Sequence, residues 1–252
     1  MQKKSSHFIK LLDWALFDLS PQKVSKFLLQ IVACLTLLFV VEKGLIYWLN
    51  VKYQIPDPSR YFHYFNFDRE SNFPSLYSAL SLGLCSFLLA IITACKKKER
   101  AKYAFHWQAL TYIFLFLAID ESCAIHELFI PIVRSFIKAE GIFYFAWVIP
   151  AFFFVVILAI IFRRFIFSLP AQTKFLFIAA ATVYISGALG LELIGGYIAD
   201  NYGFATLGYV LISTIEELLE MLGVVIFVYA LLSYIQSYLS KLKITFDFQE
   251  VK

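Results

Sequence analysis

Carboxylates and one imidazole interrupt three stretches of the sequence that are otherwise apolar. In chain order these residues are Asp120, Glu121, His126, Glu127, Glu192, Glu216, Glu217 and Glu220. Ionisable side chains inside a membrane segment are costly, so they indicate a functional site by default. Carboxylates that share a site of low dielectric constant cannot all stay ionised unless a cation is present. The pattern therefore predicts either shared protons or a bound metal ion.

The composition places these residues in a membrane protein. Of the 252 residues, 61% are hydrophobic and only 16% are charged, whereas about a quarter are charged in a typical soluble domain. Several apolar runs of about 20 residues have the length of membrane-spanning helices. No dense basic face indicates a nucleic-acid partner. The four cysteines stand singly in apolar stretches, which argues against a disulfide framework or a thiolate zinc site.

The apolar runs predict an all-α membrane bundle of six transmembrane helices. The predicted spans cover roughly residues 26–49, 74–95, 103–129, 142–162, 175–199 and 206–234. Apolar residues at helical spacing over residues 7–20 predict an amphipathic helix that lies on the bilayer surface. We expect three parts: an N-terminal segment over residues 1–25, a membrane domain over residues 26–235, and a polar tail over residues 236–252.

The distribution of lysine and arginine predicts how the bundle is oriented. Basic residues concentrate in the segments that share a side with the N-terminus, which favours cytoplasmic termini in a plasma (inner) membrane. Asp120 then lies about 22 Å from the cytoplasmic end of its helix, beyond the midplane of the bilayer. Glu192 and Glu216 fall in the same extracytoplasmic half.

Helical angles predict which of the acids share a face. Asp120 and Glu127 are seven residues apart and point the same way, whereas a regular helix turns Glu121 and His126 in opposite directions. We therefore expect Asp120 and Glu127 to form the inward pair of the third span. In the sixth span one arc of roughly 120° holds Ser213, Glu216, Glu217, Glu220 and Gly223.

Small residues in the fifth span predict close helix packing around Glu192. They occur at intervals of three and four residues, at Ser186, Gly187, Gly190, Gly195 and Gly196. Such spacing lets membrane helices approach backbone to backbone. We expect this packing to bring Glu192 near the third and sixth spans.

The loop before the second span carries a further charged group, Asp68-Arg69-Glu70. It is either a solvated start of the helix with a local ion pair, or a lid in which the positive charge of Arg69 interacts with the buried acids. Pro74 suits the first turn of the following helix, and Ser71 or Asn72 suits its N-cap. The many phenylalanines and tyrosines are interpreted mainly as lipid-facing bulk and as an interface belt.

A hard donor set of carboxylates with one imidazole favours Mg²⁺, Ca²⁺ or Mn²⁺, with Fe²⁺ and Zn²⁺ as alternatives. The predicted metal ligands are Asp120, Glu127, Glu192, Glu216 and Glu220. Glu217 or His126 is predicted to move protons. The competing interpretation is a structural network of carboxyl groups that share protons. The sequence contains none of the HExxH, Walker, GxSxG or GxGxxG motifs that identify common enzyme classes.

Four segments together resemble an uncharacterised family of polytopic bacterial membrane proteins. They begin at Asp68, Asp120, Leu191 and Glu216 and read DRExxxP, DExxxxHE, LExxGG and EExxEMxG. The resemblance covers roughly residues 66 to 232 and brings no activity with it. The expected metal site among transmembrane helices also resembles, more loosely, that of membrane-embedded metal hydrolases such as ceramidases and adiponectin receptors. Those proteins use several histidines and seven helices, whereas this sequence offers one buried histidine and six spans.

These observations predict a metal-dependent hydrolase within the membrane that acts on a lipid-like or other small-molecule substrate from the bilayer. Two alternatives stay open at this point. One is a transporter coupled to protons or cations, and the other is a non-catalytic structural or assembly subunit. The sequence predicts neither the substrate nor the oligomeric state.

Overall fold

A computed structural model of the protein describes residues 20–55 and 58–239, and these residues are helical without any strand. The α-helices of this part of the chain are α1 (Pro21–Tyr53), α2 (Phe73–Lys98), α3 (Ala104–Cys123), α4 (Phe129–Phe136), α5 (Val148–Ser168), α6 (Ala171–Ile185), α7 (Glu192–Tyr202) and α8 (Leu207–Tyr234). Short 3₁₀ turns cover Pro58–Arg60, His126–Leu128 and Gly141–Phe143, and π-helical segments cover Ser186–Leu191 and Ile235–Leu239. The predicted surface helix and most of the predicted tail lie outside the described residues.

Five stretches of helix are long and apolar enough to cross a membrane, which confirms the predicted all-α membrane architecture. They are Pro21–Tyr53, Phe73–Lys98, Val148–Ser168, Ala171–Tyr202 and Leu207–Tyr238. The other predicted span corresponds to α3, which has 20 residues and does not meet the same measure. His106, Gln108, Asp120 and Glu121 lower its apolar character. The predicted number of six spans is thus not confirmed by these helices.

Helix α8 is the centre of the bundle. The helices α1, α2, α6 and α7 all pack against it, and α3 packs along α2. Helix α5 is the most peripheral, since it packs on α6 and on the π-helical segment that follows α6. We call the end with the Lys96–Lys102 turn between α2 and α3 the basic end. The opposite end, which carries residues 120–127 and the loop over residues 54–72, is called the acidic end.

The bundle is packed differently at its two ends. Toward the basic end the side chains of Leu89, Ile92, Phe165, Val228 and Leu231 have no solvent exposure. Such residues at helical spacing on α2 and α8 form a dry core, because the hydrophobic faces of these helices meet there. Toward the acidic end, most side chains of α8 are only half-buried. This difference leaves room for a cavity at the acidic end.

The third and fourth predicted spans have different limits in the structure. Helix α3 ends at Cys123, because Ala124 adopts the left-handed conformation with φ of 48°, so the predicted helix to residue 129 is wrong beyond this point. The fourth span begins at Val148 instead of residue 142 and continues to Ser168. Residues 137–147 form a loop in between, with a single 3₁₀ turn.

Helix α2 starts as the sequence predicts. The Asn72 side chain accepts a hydrogen bond from the backbone N–H of Ser75 at 3.1 Å, and the Ser75 hydroxyl accepts one from the backbone N–H of Asn72 at 3.0 Å. This reciprocal capping box satisfies two backbone groups at the helix end. Pro74 occupies the first turn. The cap fixes where the loop before it meets the acidic end.

Candidate functional site

A cavity of about 640 Å³ opens at the acidic end between α3, α5, α6, α8 and the loop over residues 54–72. All seven predicted metal-binding and proton-transfer residues border it. Its ionisable lining residues are Asp68, Arg69, Glu70, Asp120, Glu121, His126, Glu127, Glu192, Glu216, Glu217 and Glu220, with Tyr184 and Tyr209. Nine carboxyl groups thus meet one guanidinium and one imidazole around a single space.

Asp120 and His126 form a closed pair at the end of α3. The backbone N–H of His126 donates to Oδ1 of Asp120 at 2.7 Å, and its ring Nδ1 lies 3.1 Å from Oδ2. The left-handed Ala124 makes this possible, because it folds the chain back toward the helix that precedes it. The expected pairing of Asp120 with Glu127 assumed a regular helix and is replaced by this contact. Glu127 lies at the exposed rim of the cavity.

Glu192 at the start of α7 meets α8 and the loop before α5. Its Oε1 accepts a hydrogen bond from the indole Nε1–H of Trp147 at 2.9 Å, and its carboxyl group lies beside that of Glu216. Two adjacent carboxyl groups repel each other when both are ionised, so a proton or a cation must offset their charge. The six-residue π-helical segment Ser186–Leu191 ends directly before Glu192. Such insertions into α-helices are frequent at functional sites.

Glycines bring α6 and its π-helical extension against α8. A Cβ atom at Gly223 would lie 2.8 Å from the backbone nitrogen of Tyr184, and one at Gly187 would lie 2.7 Å from the carbonyl oxygen of Glu216. The close approach at Gly223 also places the Tyr184 side chain beside Glu220.

The predicted close packing of the fifth span is confirmed at Gly187, against α8, and at Gly196, where a Cβ atom would lie 3.3 Å from Phe145. It is wrong at Gly190, where nothing lies within 4 Å of an added Cβ atom.

Glu217 lies in the same group of acids. Its nearest charged neighbours are Glu220, Glu121 and Glu70, which come from three different elements. Helix α8 therefore presents Glu216, Glu217 and Glu220 to one cavity, as their arc on the helix predicts. Each of these carboxyl groups faces other acids at close range, so a cation or a proton must offset their repulsion.

The loop over residues 54–72 covers the cavity from the acidic end. It is held at Phe65, whose backbone N–H donates to Oε2 of the buried Glu42 at 3.0 Å. It is held again at Asp68, whose Oδ1 accepts a hydrogen bond from the Tyr209 hydroxyl at 2.7 Å. The Asp68-Arg69-Glu70 group thus lines the cavity instead of forming a purely solvated helix entry.

Burial shapes the chemistry of the two loop acids. Burial raises the pKa of Asp68 above its ordinary value, although the Tyr209 hydroxyl, Lys43 and Arg69 act in the opposite direction. Burial also raises the pKa of Glu70; nearby His126 lowers it, while the neighbouring acids raise it further. Oε2 of Glu70 is buried and has no hydrogen-bond partner within the described part of the chain. An unpaired buried acceptor is costly and marks a place for a ligand.

Three aromatic residues of the site were missed by the sequence analysis. Trp147, Tyr184 and Tyr209 each hydrogen-bond a different acid of the cavity. They were counted with the lipid-facing aromatic residues, because Tyr and Trp at membrane depth serve mainly as interface anchors. A usable signal was the polar atom that each carries, since a Tyr O–H or Trp N–H that is buried normally finds a partner.

The chemistry of the lining groups suits a hard divalent cation. Carboxylate oxygens predominate, and Glu70 contributes a buried oxygen without a partner. Over residues 20–55 and 58–239, however, no three His, Cys, Asp or Glu side chains stand together as a ready-made metal-binding group. The Glu192–Glu216 and Asp120–His126 contacts occupy donors that a metal ion would use. A cation that binds Glu192 and Glu216 would take the place of a proton in offsetting their repulsion.

The chain belongs to a protein family whose model matches residues 28–235 and is described as "Domain of unknown function (DUF8692)". The match covers all four motif segments and every helix from α2 to α8. No curated protein and no solved structure matches the chain.

Proposed function

We propose that this member of the family is a membrane-embedded, divalent-metal-dependent hydrolase that acts on a lipid-like substrate. The observation that carries the proposal is the amphipathic character of the cavity. Its acidic end holds nine carboxyl groups, and its remaining walls are apolar side chains of α3, α5, α6 and α8. A pocket with mostly apolar walls and a few convergent polar groups is typical of a small-molecule site.

The metal ion is proposed to bind among Glu192, Glu216 and Glu220, with Asp120 and Glu127 contributing from α3 and the turn after it. These oxygen donors suit Mg²⁺, Mn²⁺ or Ca²⁺. A divalent ion bound there would supply Lewis acidity and lower the pKa of water. It would also neutralise the mutual repulsion of the acids. No other role for the ion is needed.

The residues of the chain suggest separate roles in proton transfer. Asp120 accepts from the His126 backbone and faces its Nδ1, an arrangement that fixes the ring and leaves Nε2 for exchange of a proton. Glu217 is the second group proposed to move protons, because it lies among the acids Glu220, Glu121 and Glu70. Trp147 positions Glu192.

A transporter coupled to protons or cations is the second candidate. The adjacent carboxyl groups of Glu192 and Glu216 favour it, because a pair of acids this close can hold and release a proton. A transporter also needs a polar route to the other side of the membrane. The basic half of the described bundle is instead filled by fully buried apolar side chains such as Leu89, Val228 and Leu231. This packing favours the hydrolase.

The proposed location is the bacterial inner membrane with both termini in the cytoplasm, which rests on the lysine and arginine bias of the sequence. The acidic end then faces the extracytoplasmic side. A single cysteine at Asn201, in an otherwise cysteine-free variant, should react with a membrane-impermeant reagent added to intact cells. Labelling from the cytoplasmic side alone would reverse the orientation.

Metal analysis of the purified protein tests the hydrolase proposal. We expect about one divalent ion per chain in the wild type and its loss in Glu216→Gln, because the amide is a weaker ligand than the carboxylate. Glu99→Gln makes the same change at the basic end, where Glu99 pairs with Lys96, and should retain the ion. A wild type without stoichiometric metal would rule out the metal site.

Two activity measurements then separate the candidates. Metal-loaded protein in lipid nanodiscs should hydrolyse one class within a panel of lipids, and Glu217→Gln should abolish this turnover while metal binding stays. If the loaded protein instead drives ion flux into liposomes and cleaves no lipid, the transporter is correct. If it does neither, the acids form a structural network.

A further inference from the structure

The cavity continues beyond the carboxyl groups as an apolar extension toward the basic end, which we call the alkyl pocket. Its lining residues include Ile113 and Leu117 of α3, Val155 and Leu158 of α5, and Ala181 of α6. The lining residues along this part of the described chain include no charged group. A ligand group that enters it must be hydrocarbon, since a polar group would lose its hydrogen bonds.

The alkyl pocket has a defined floor. The lining residues nearest the basic end are Leu110, Phe162 and Ile166. The Phe162 ring lies 5.4 Å from the ring of His106 and 6.0 Å from that of Phe165, measured between centroids. Phe165 has no solvent exposure. Because a close-packed interior resists displacement, the floor cannot easily move down to admit a longer chain.

The depth of the pocket follows from the helical rise. Asp120 and Leu110 are ten residues apart on α3, which corresponds to about 15 Å, and the lining residues Trp147 and Phe162 are 15 residues apart, which corresponds to about 22 Å. An extended chain advances about 1.2 Å per bond, so these depths hold between roughly 12 and 18 carbon atoms. The whole cavity measures about 640 Å³, which is within the size of a site for one small molecule. It suits one alkyl chain with a headgroup and is too small to enclose a lipid with two long chains.

The gap between α3 and α5 gives such a chain a way in from the bilayer. The ring contacts between these helices lie at the basic end, where Phe165 meets Tyr103 and Trp107. At the acidic end the link is the contact of the His126 ring with Trp147, 4.8 Å between centroids. Between these two points the helix-to-helix packing of α5 is with α6 and the π-helical segment.

We propose that the substrate is a single-chain amphiphile and that the alkyl pocket selects its chain length, with Phe162 as the stop. The headgroup lies at the carboxyl groups and the chain extends between α3 and α5 to the floor. This proposal rests on the proposed hydrolase, for which it names the substrate class, but it concerns binding and needs neither a metal ion nor turnover.

A binding assay with monoacylglycerols of graded chain length tests the proposal. The full chain is reconstituted in nanodiscs with a metal chelator present, and the bound monoacylglycerol is measured by native mass spectrometry. We expect affinity to rise with chain length to an optimum between roughly 12 and 18 carbons, as the depth of the pocket requires, and to fall at least several-fold for longer chains. A profile that keeps rising or is flat would overturn the proposal.

Variants on one helix supply the matched comparison. Ala181→Leu places an isobutyl group in the pocket and should shift the optimum to shorter chains by roughly two to three carbons, the length of the added group. Ala179→Leu adds the same volume on α6 outside the lining and should leave the optimum unchanged. Equal shifts in both variants, or none in either, would also overturn the proposal.

A change at the floor tests the stop itself. Phe162→Leu replaces the ring by a shorter apolar group and should shift the optimum to longer chains, with gel filtration to verify folding. An optimum that does not lengthen in a folded Phe162→Leu protein would exclude Phe162 as the stop. If the protein selects chain length but neither binds metal nor hydrolyses lipid, the alkyl pocket is confirmed and the proposed hydrolase is wrong. If it shows metal-dependent hydrolysis without selecting chain length, the hydrolase is confirmed and the role of the alkyl pocket is wrong.

Discussion

At the scale of single residues, the structure decides which acids are already engaged. Both oxygens of Asp120 face His126, and Glu192 is engaged by Trp147 and Glu216. Glu70 has an oxygen without a partner. The buried acids therefore differ in what they can do. Asp120 and Glu192 are held by their partners at the proposed metal site, whereas one oxygen of Glu70 has no partner among the described residues and needs a ligand or a proton.

The state of Glu70 predicts a dependence of stability on pH. Because its pKa is raised, the folded protein keeps this proton at a pH where the unfolded chain has lost it. The free energy of unfolding should therefore fall as the pH rises from the ordinary value of 4.5 toward the raised pKa of the folded state. Glu70→Gln removes this contribution, so its Tm in detergent should decline less over the same range.

The control for this measurement is Glu140→Gln, which makes the same change at an exposed position. It should keep the slope of the wild type. If Glu70→Gln and the wild type lose stability in parallel as the pH rises, Glu70 does not hold its proton in the folded protein.

Residue identities could be predicted from the sequence, but their partners could not. An acid within an apolar run is visible in the sequence because its type conflicts with its surroundings. The pairing of Asp120 with His126 depends on the left-handed backbone at Ala124. A non-glycine residue rarely adopts that conformation, and an alanine gives no sign of it.

At the scale of the helices, the crossing of α6 and α8 sets the geometry of the site. Gly223→Ala would place a methyl group 2.8 to 2.9 Å from three backbone and Cβ atoms of Tyr184, so the helices would have to separate. We expect a loss of about 1–3 kcal/mol in the free energy of unfolding. Separation would also weaken the contact of Tyr184 with Glu220. Thermal unfolding in detergent measures the loss.

The matched control is Gly83→Ala in α2, where nothing lies within 4 Å of the added methyl group. Alanine is the better helix former by about 0.8–1.0 kcal/mol, so this variant should be as stable as the wild type or more so. Equal effects at Gly223 and Gly83 would show that the close approach of the two helices is not under strain.

The close packing of the fifth span was predictable, but its π-helical segment was not. Glycines at intervals of three and four residues reveal a contact surface, and Gly187 indeed lies against α8. A π-helical turn inserts an extra residue and so rotates everything beyond it. Since the insertion depends on tertiary packing, the direction of the Glu192 side chain could not be read from angles on a regular helix.

At the scale of the whole molecule, hydropathy predicted the bundle and located the acids at one end. It was less successful with α3, which is long enough but too polar to rank with the other five helices. Two of its polar residues, Asp120 and Glu121, line the cavity. These two residues, which lower the hydropathy of α3, thus form part of the site. The incorrect prediction of this span and the chemistry of the site therefore have the same physical cause.

The unequal packing of α8 predicts unequal local stability along one helix. Residues 228–234 lie in the dry core, whereas residues 210–220 border the cavity. Local opening is easier where few apolar contacts must break. In hydrogen–deuterium exchange, amides of residues 228–234 should exchange more slowly than those of residues 210–220. Uniform exchange along α8 would contradict this.

Because the basic end is closely packed and the acidic end contains a cavity, the acidic end can fluctuate locally while the protein stays folded. The rim beside the acids can fluctuate while the base stays ordered, because most side chains of α8 are half-buried at the acidic end and fully buried at the basic end. Ligand entry then needs no rearrangement of the core. Occupancy of the cavity should register as slowed amide exchange at the rim alone, with the exchange of the base unchanged.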